Sequence, residues 1–81
     1  MKVSLLFFAV LRDIAGRDRD ELDLPDGARP RDVWEQLRAR YRELGDYREP
    51  PMTAVNEEYV PPDTPLRDGD ELAFIPPVAG G

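Results

Sequence analysis

The sequence contains no cysteine and no histidine. Without thiols there can be no disulfide framework, no thiolate nucleophile and no Cys/His metal site, and without imidazole the commonest general base is missing. Any chemistry must come from a carboxylate, a hydroxyl, an amine or a chain terminus. Side-chain amines are scarce too, since Lys2 stands alone beside ten arginines. Long apolar runs are absent: the longest, Val3 to Leu11, is interrupted at Ser4 and closed by Arg12-Asp13. It is too short to span a bilayer and lacks the basic start and small-residue cleavage site of a signal peptide. Positive charge is also in deficit, with 11 Lys and Arg against 17 Asp and Glu for a net charge of −6. That balance argues against phosphate backbones and anionic membranes, so no nucleic acid and no membrane is expected as a partner. A protein partner with a basic face fits better, in the cytoplasm.

What remains is 81 residues, 41% hydrophobic and 35% charged, the composition of one folded domain spanning 1–81. A chain of this size buries roughly 60% of its unfolded surface, enough for a thin two-layer core and not for a deep private pocket.

The elements follow from periodicity. Lys2 to Val10 reads as a strand whose faces are Val3, Leu5, Phe7 and Leu6, Phe8, Val10. The first face is assigned to the core, which turns Leu6 and Phe8 outward. Leu11 to Ala15 suits one helical turn closed by Gly16, followed by a solvated charged turn, Arg17 to Glu21. Glu21 to Leu24 alternates as a half-buried strand, ended by Pro25-Asp26-Gly27. From Pro30 to Leu44, Val33, Leu37, Tyr41 and Leu44 recur at helical spacing with Trp34 widening the stripe, which predicts one amphipathic helix. Thr53 to Asn56 and Tyr59-Val60 predict a tight hairpin around Asn56-Glu57-Glu58, and Glu71 to Ile75 a last strand with Leu72 and Phe74 inward. One helix over one face of a small mixed sheet, with first and last strands parallel, is an α+β domain of the β-grasp, or ubiquitin-like, fold.

Asp68, Asp70 and Glu71 read as turn chemistry rather than a cation site, and Asp18, Asp20 and Glu21 as a solvated charge run; no metal site is expected. The terminus is more informative. Pro76-Pro77-Val78-Ala79-Gly80-Gly81 cannot extend a ladder normally and forms a flexible tail. A Gly-Gly end can be no more than a frayed terminus. It is also the shape of an arm that enters another enzyme's channel and presents its α-carboxylate there, because a β-carbon would obstruct. Six residues reach about 20 Å. Phe8 and Ile75, with Leu6 and Tyr59, should share one outer surface at the base of this arm, and exposed apolar patches of that kind mark binding surfaces.

At these residues the chain resembles a known family. Leu6 to Asp13, Ala54-Val55-Asn56 and above all Leu66 to Gly81 are similar to the MoaD/ThiS sulfur carriers, among them the small subunits of molybdopterin synthase. Ile75 stands where that family often has an aromatic residue, and Ala79 where Ser or Thr is common. The resemblance implies that an E1-like enzyme adenylates the Gly81 carboxylate with ATP and Mg²⁺. A sulfur donor such as a cysteine desulfurase or rhodanese then converts the glycyl adenylate to a thiocarboxylate, and no cofactor is bound permanently. It further implies that Gly80, Ala79 and Val78 thread into a MoaE-like large subunit within a heterotetramer, with Phe8, Arg12, Tyr59, Ile75, Pro76 and Pro77 facing that partner. The large subunit would bind cyclic pyranopterin monophosphate, and sulfur from two carriers would complete the dithiolene of molybdopterin. Sulfur carriers for thiamine or tRNA thiolation, a ubiquitin-like protein modifier and an inert adaptor are the alternatives.

Overall fold

The structure, a computed structural model, describes residues 1–75. Its strands are β1 (Lys2–Phe7), β2 (Arg19–Asp23), β3 (Met52–Val55), β4 (Glu58–Tyr59) and β5 (Glu71–Ile75). The helices are α1 (Ala9–Ala15) and α2 (Pro30–Arg40), with a 3₁₀ turn over Arg42–Leu44. The five strands form one sheet in the order β2-β1-β5-β3-β4. β1 and β5 are parallel neighbours, with Leu5 opposite Leu72 and Phe7 opposite Phe74, and the other pairings are antiparallel. The expected β-grasp architecture is present.

α2 covers one face because its stripe is continuous: Pro30, Val33, Trp34 and Leu37 are buried against Val3, Leu5, Phe7, Leu72 and Phe74. Trp34 meets Phe74 edge to face at 5.0 Å between ring centroids, and its Nε1 donates to the Tyr47 carbonyl at 2.8 Å. Each such large side chain contributes about 1.5–3 kcal/mol of burial. No Ser, Thr, Asn or Asp caps α2; the Asp32 carboxylate instead accepts from the Arg29 N–H at 2.9 Å, half of a capping box. Arg31 then ties the helix start to two loops, donating to Asp63 at 2.9 Å and Glu49 at 3.0 Å. The paired guanidinium holds the Asp63 carboxyl below its ordinary range. This lowered value contributes stability above the unfolded pKa that is lost as pH falls through the folded one.

Several boundaries differ from expectation. β1 ends at Phe7, and Ala9 and Val10 belong to α1, which seats Leu11 in the core and closes at Gly16 in the left-handed conformation (φ 73). β2 begins at Arg19, not Glu21. Asp20 falls on the core-facing side of this edge strand, where Arg17 (3.5 Å) and Arg40 (3.6 Å) meet its carboxylate, so Arg19 to Glu21 belong to the sheet while Arg17 and Asp18 form the exposed bend before it. α2 stops at Arg40 because Tyr41 is extended (φ −115, ψ 111), and the 3₁₀ turn returns Leu44 to the core. The apolar spacing thus survives a break in the helix. The hairpin turn is the two residues Asn56 and Glu57, both with positive φ (52 and 69), the geometry of a type I′ turn, and β4 starts at Glu58. That turn favours glycine at its second position. Glu57→Gly is expected to raise stability by about 0.5–1 kcal/mol, seen as a melting temperature a few degrees higher.

The turn before β5 uses its acidic residues as acceptors. Asp68 Oδ1 accepts from the Lys2 N–H (2.6 Å), Asp70 Oδ2 from the Arg67 N–H (2.8 Å) and Asp70 Oδ1 from Asn56 Nδ2 (2.9 Å). Asn56 Oδ1 in turn accepts from the Glu71 N–H at 3.0 Å. These contacts lock the hairpin to the start of β5. Among the described residues no cluster of His, Cys, Asp or Glu could hold a metal ion, and no helix is long and apolar enough to cross a membrane.

Candidate functional site

The face of the sheet away from α2 is divided into two halves. Register places Ser4 beside Glu21 and Glu71, and Leu6 beside Arg19 and Ala73. Ala73 continues to Ala54 and Ala54 to Tyr59, while Ile75 lies opposite Met52. The half at the start of β5 is polar and internally satisfied: Ser4 Oγ donates to Glu21 at 2.9 Å and Arg19 Nη2 to Glu71 at 2.7 Å. The half at the end of β5 is apolar.

That apolar half forms an open groove of about 280 Å³. Ala54 and Ala73 make its floor, both buried although they face away from the core. Leu6, Phe8, Tyr59 and Ile75 make its walls, and Glu57 and Glu71 its polar end. The floor residues are small and the walls large, so the sheet offers a concavity rather than a flat surface. Phe8 is 44% exposed, Met52 58% and Tyr59 64%, a concentration of solvated apolar area that a folded chain keeps for a partner. A shallow proline-lined concavity continues beyond Met52 and Tyr59, formed by Pro50, Pro51, Pro61 and Pro62.

Three of the predicted partner-facing residues, Phe8, Tyr59 and Ile75, come together here. Phe8 arrives by a different route from that expected. It precedes α1 rather than ending β1, but its extended backbone (φ −121, ψ 151) preserves the strand's alternation. Ala9 then takes a positive φ of 50 and turns the chain into the helix. Arg12 does not line the groove: its Nε lies 3.8 Å from Asp18 Oδ1 on an exposed surface. Pro76, Pro77, Val78, Ala79, Gly80 and Gly81 lie outside the described residues. Met52 was not anticipated. Its signal is the alternation with Ala54, hidden because the local pattern predicts a strand that starts only at Thr53.

A five-stranded mixed sheet under one helix, with an apolar groove where the last strand ends, defines the ubiquitin-like β-grasp class. The chain belongs to the ThiS family, whose model matches residues 5–81. The molybdopterin synthase sulfur carrier subunit of Chlamydomonas reinhardtii is 39% identical over 83 residues, covering 100% of both chains. Among solved structures, small archaeal modifier protein 1 of Haloferax volcanii is similar at TM-score 0.80 and 27% identity, covering 95% of this chain and 98% of that one. Subunit 1 or 2 in the protein-protein complex of molybdopterin-converting factor from Helicobacter pylori is similar at TM-score 0.60 and 27% identity, with 100% of both chains covered.

Proposed function

We infer that this chain is the sulfur carrier subunit of a molybdopterin synthase. The observation that carries the reading is the full-length likeness to such a subunit combined with an apolar groove at the end of β5, the strand that leads into the Gly80-Gly81 terminus. A protein without thiol or imidazole can still carry sulfur if its own carboxylate is the attachment point. An E1-like enzyme transfers AMP from ATP to the Gly81 carboxylate, releasing pyrophosphate, with Mg²⁺ on the nucleotide. The outer sulfur of a persulfide on a cysteine desulfurase or rhodanese attacks the glycyl adenylate and displaces AMP, giving an acyl disulfide; a second thiol of the donor or activating enzyme then cleaves the S–S bond, is itself oxidised to a disulfide, and leaves the thiocarboxylate. The MoaE-like large subunit docks on the groove, receives residues 78–81 and supplies the pterin pocket; each carrier delivers one sulfur. The chain's own residues provide the docking face and the arm.

The test is reconstitution of purified thiocarboxylated carrier with a MoaE-like subunit and the cyclic pyranopterin precursor. Molybdopterin formation is expected, and its absence with active partner present would refute the reading. Likeness to an archaeal modifier protein favours protein modification as the second reading, for which lysine conjugates through Gly81 would be the product.

Phe8 lies outside the core, so Phe8→Asp should leave the fold intact while placing a charge in a desolvated interface. Central interface residues contribute about 2 kcal/mol or more, so affinity for the large subunit should fall about 30-fold or further by titration calorimetry. Unchanged affinity would remove Phe8 from the docking face.

A further inference from the structure

Position 57 suits glycine, and glutamate stands there. Glu57 is the second residue of the type I′ turn, with a φ of 69 that a side chain bearing a β-carbon adopts only under strain. Asn56, at φ 52, tolerates that region better, so the anomaly is Glu57. Strain of this kind persists where the surroundings over-determine the backbone. Here the Asn56 N–H donates to the Glu71 carbonyl at 2.8 Å, the Glu71 N–H to Asn56 Oδ1 at 3.0 Å and Asn56 Nδ2 to Asp70 Oδ1 at 2.9 Å. The turn is thereby pinned to β5 and the direction of the Glu57 side chain is set. Its carboxylate does nothing for the fold: it is exposed, and among the described residues no basic side chain pairs with it.

That carboxylate stands at one end of the apolar groove. The charged residues of the lining are Glu57 and Glu71. Arg19, on the same outer face, donates to Glu71 at 2.7 Å, which compensates that charge and leaves the one on Glu57. Phe8 and Ile75 line the groove toward its other end, and Ile75 is four strand residues from Glu71, about 13 Å. The groove is therefore bipolar, apolar at the end of β5 and anionic at its start. A surface that fills it must bury apolar side chains against Ile75 and, about 13 Å away, meet a carboxylate with no partner of its own. Desolvating that group unpaired is costly, and a second carboxylate there would be repelled; a cation offsets the cost.

We propose that Glu57 is a specificity-determining residue of the docking groove, its carboxylate receiving an arginine or lysine side chain of the large subunit about 13 Å from the apolar contact at Ile75. The hairpin keeps a strained glutamate because recognition needs the charge at that point. This rests on the reading that the groove docks the large subunit, and it names the chemistry the partner must present at one end.

The full chain is titrated calorimetrically against the purified MoaE-like large subunit as wild type, Glu57→Gly, Glu57→Gln, Glu57→Lys and Glu43→Gln, with a thermal melt of each. Glu57→Gly should melt a few degrees higher than wild type and yet bind about fivefold more weakly, opposite movements that a merely structural role cannot produce. Glu57→Gln, which keeps the length and removes the charge, should also lose about fivefold, and Glu57→Lys about 30-fold. Glu43, exposed on the 3₁₀ turn and outside the groove lining, carries the same charge, so Glu43→Gln should bind as wild type does. Wild-type affinity in Glu57→Gln, or an equal loss in Glu43→Gln, would overturn the proposal while leaving the docking reading in place. A wild-type chain that does not bind the large subunit would overturn both.

Discussion

Removing Gly81 is expected to abolish sulfur transfer while leaving the domain folded. The deleted residue is six positions past the end of β5, and the described core is built without it, so the melting temperature should not move. The shortened chain would end at Gly80, and its carboxylate would stop about 3.5 Å short of the place where attack occurs. A misplacement of even about 1 Å can cost about 10²-fold in rate, so this defect should reduce molybdopterin formation to the level seen without carrier. Gly81→Ala is the milder companion: a methyl beside the reacting carbonyl obstructs close approach and should slow thiocarboxylate formation by roughly 10²-fold. Intact mass separates the two steps, since a carrier that is loaded but inactive shows one oxygen exchanged for sulfur and an unloaded one does not. Full sulfuration by the truncated chain would end the carrier reading.

Trp34→Ala should come close to unfolding the protein. Trp34 is buried between α2 and β5, edge-on to Phe74, and is the only tryptophan. Truncating such a residue costs about 3–5 kcal/mol. A domain of 81 residues holds only about 4–12 kcal/mol in total. At roughly 4–8 °C per kcal/mol, the melting temperature should fall by about 15 °C or more. The melt is best followed by far-ultraviolet circular dichroism, because the substitution removes the main fluorophore. Trp34→Phe keeps most of the volume but leaves the Tyr47 carbonyl without its donor, and about 1 kcal/mol is the expected loss. A loss below about 1 kcal/mol for Trp34→Ala would mean that the helix and sheet are not held together at this contact.

How far these features could be read from the residues depended on whether local pattern and tertiary demand agreed. Val3, Leu5 and Phe7 alternate against polar Lys2 and Ser4, and their burial followed. Leu72 and Phe74 did likewise, so the parallel pair and the helix above it were legible. The end of α2 was not, because Tyr41 and Leu44 continue the helical spacing through a 3₁₀ turn. The start of β2 was hidden for a related reason: Asp20 reads as a surface charge, and the distant Arg40, together with the nearby Arg17, makes its inward position tolerable. At the site, alternation carried Phe8 and Ile75 to the correct side even though Phe8 is outside the strand. Met52 had Pro50 and Pro51 before it and no upstream partner with which to alternate, so the groove's extent emerged only with the register of β3 on β5.

The position of β5 in the middle of the sheet bears on how the arm withstands being pulled. In the proposed function, drawing residues 78–81 into a partner's channel and withdrawing them after each transfer would exert tension along β5, since residue 76 follows Ile75 in the chain. β5 is flanked by β1 on one side and β3 on the other, each in register over four residue pairs. Tension along the strand therefore loads both ladders in shear, with many hydrogen bonds sharing the force at once. An arm attached to β2 or β4 would instead pull on an edge strand held from one side, and on β4 by two residues alone. The fold thus anchors its working end like a rope spliced into the centre of a fabric rather than stitched to its hem.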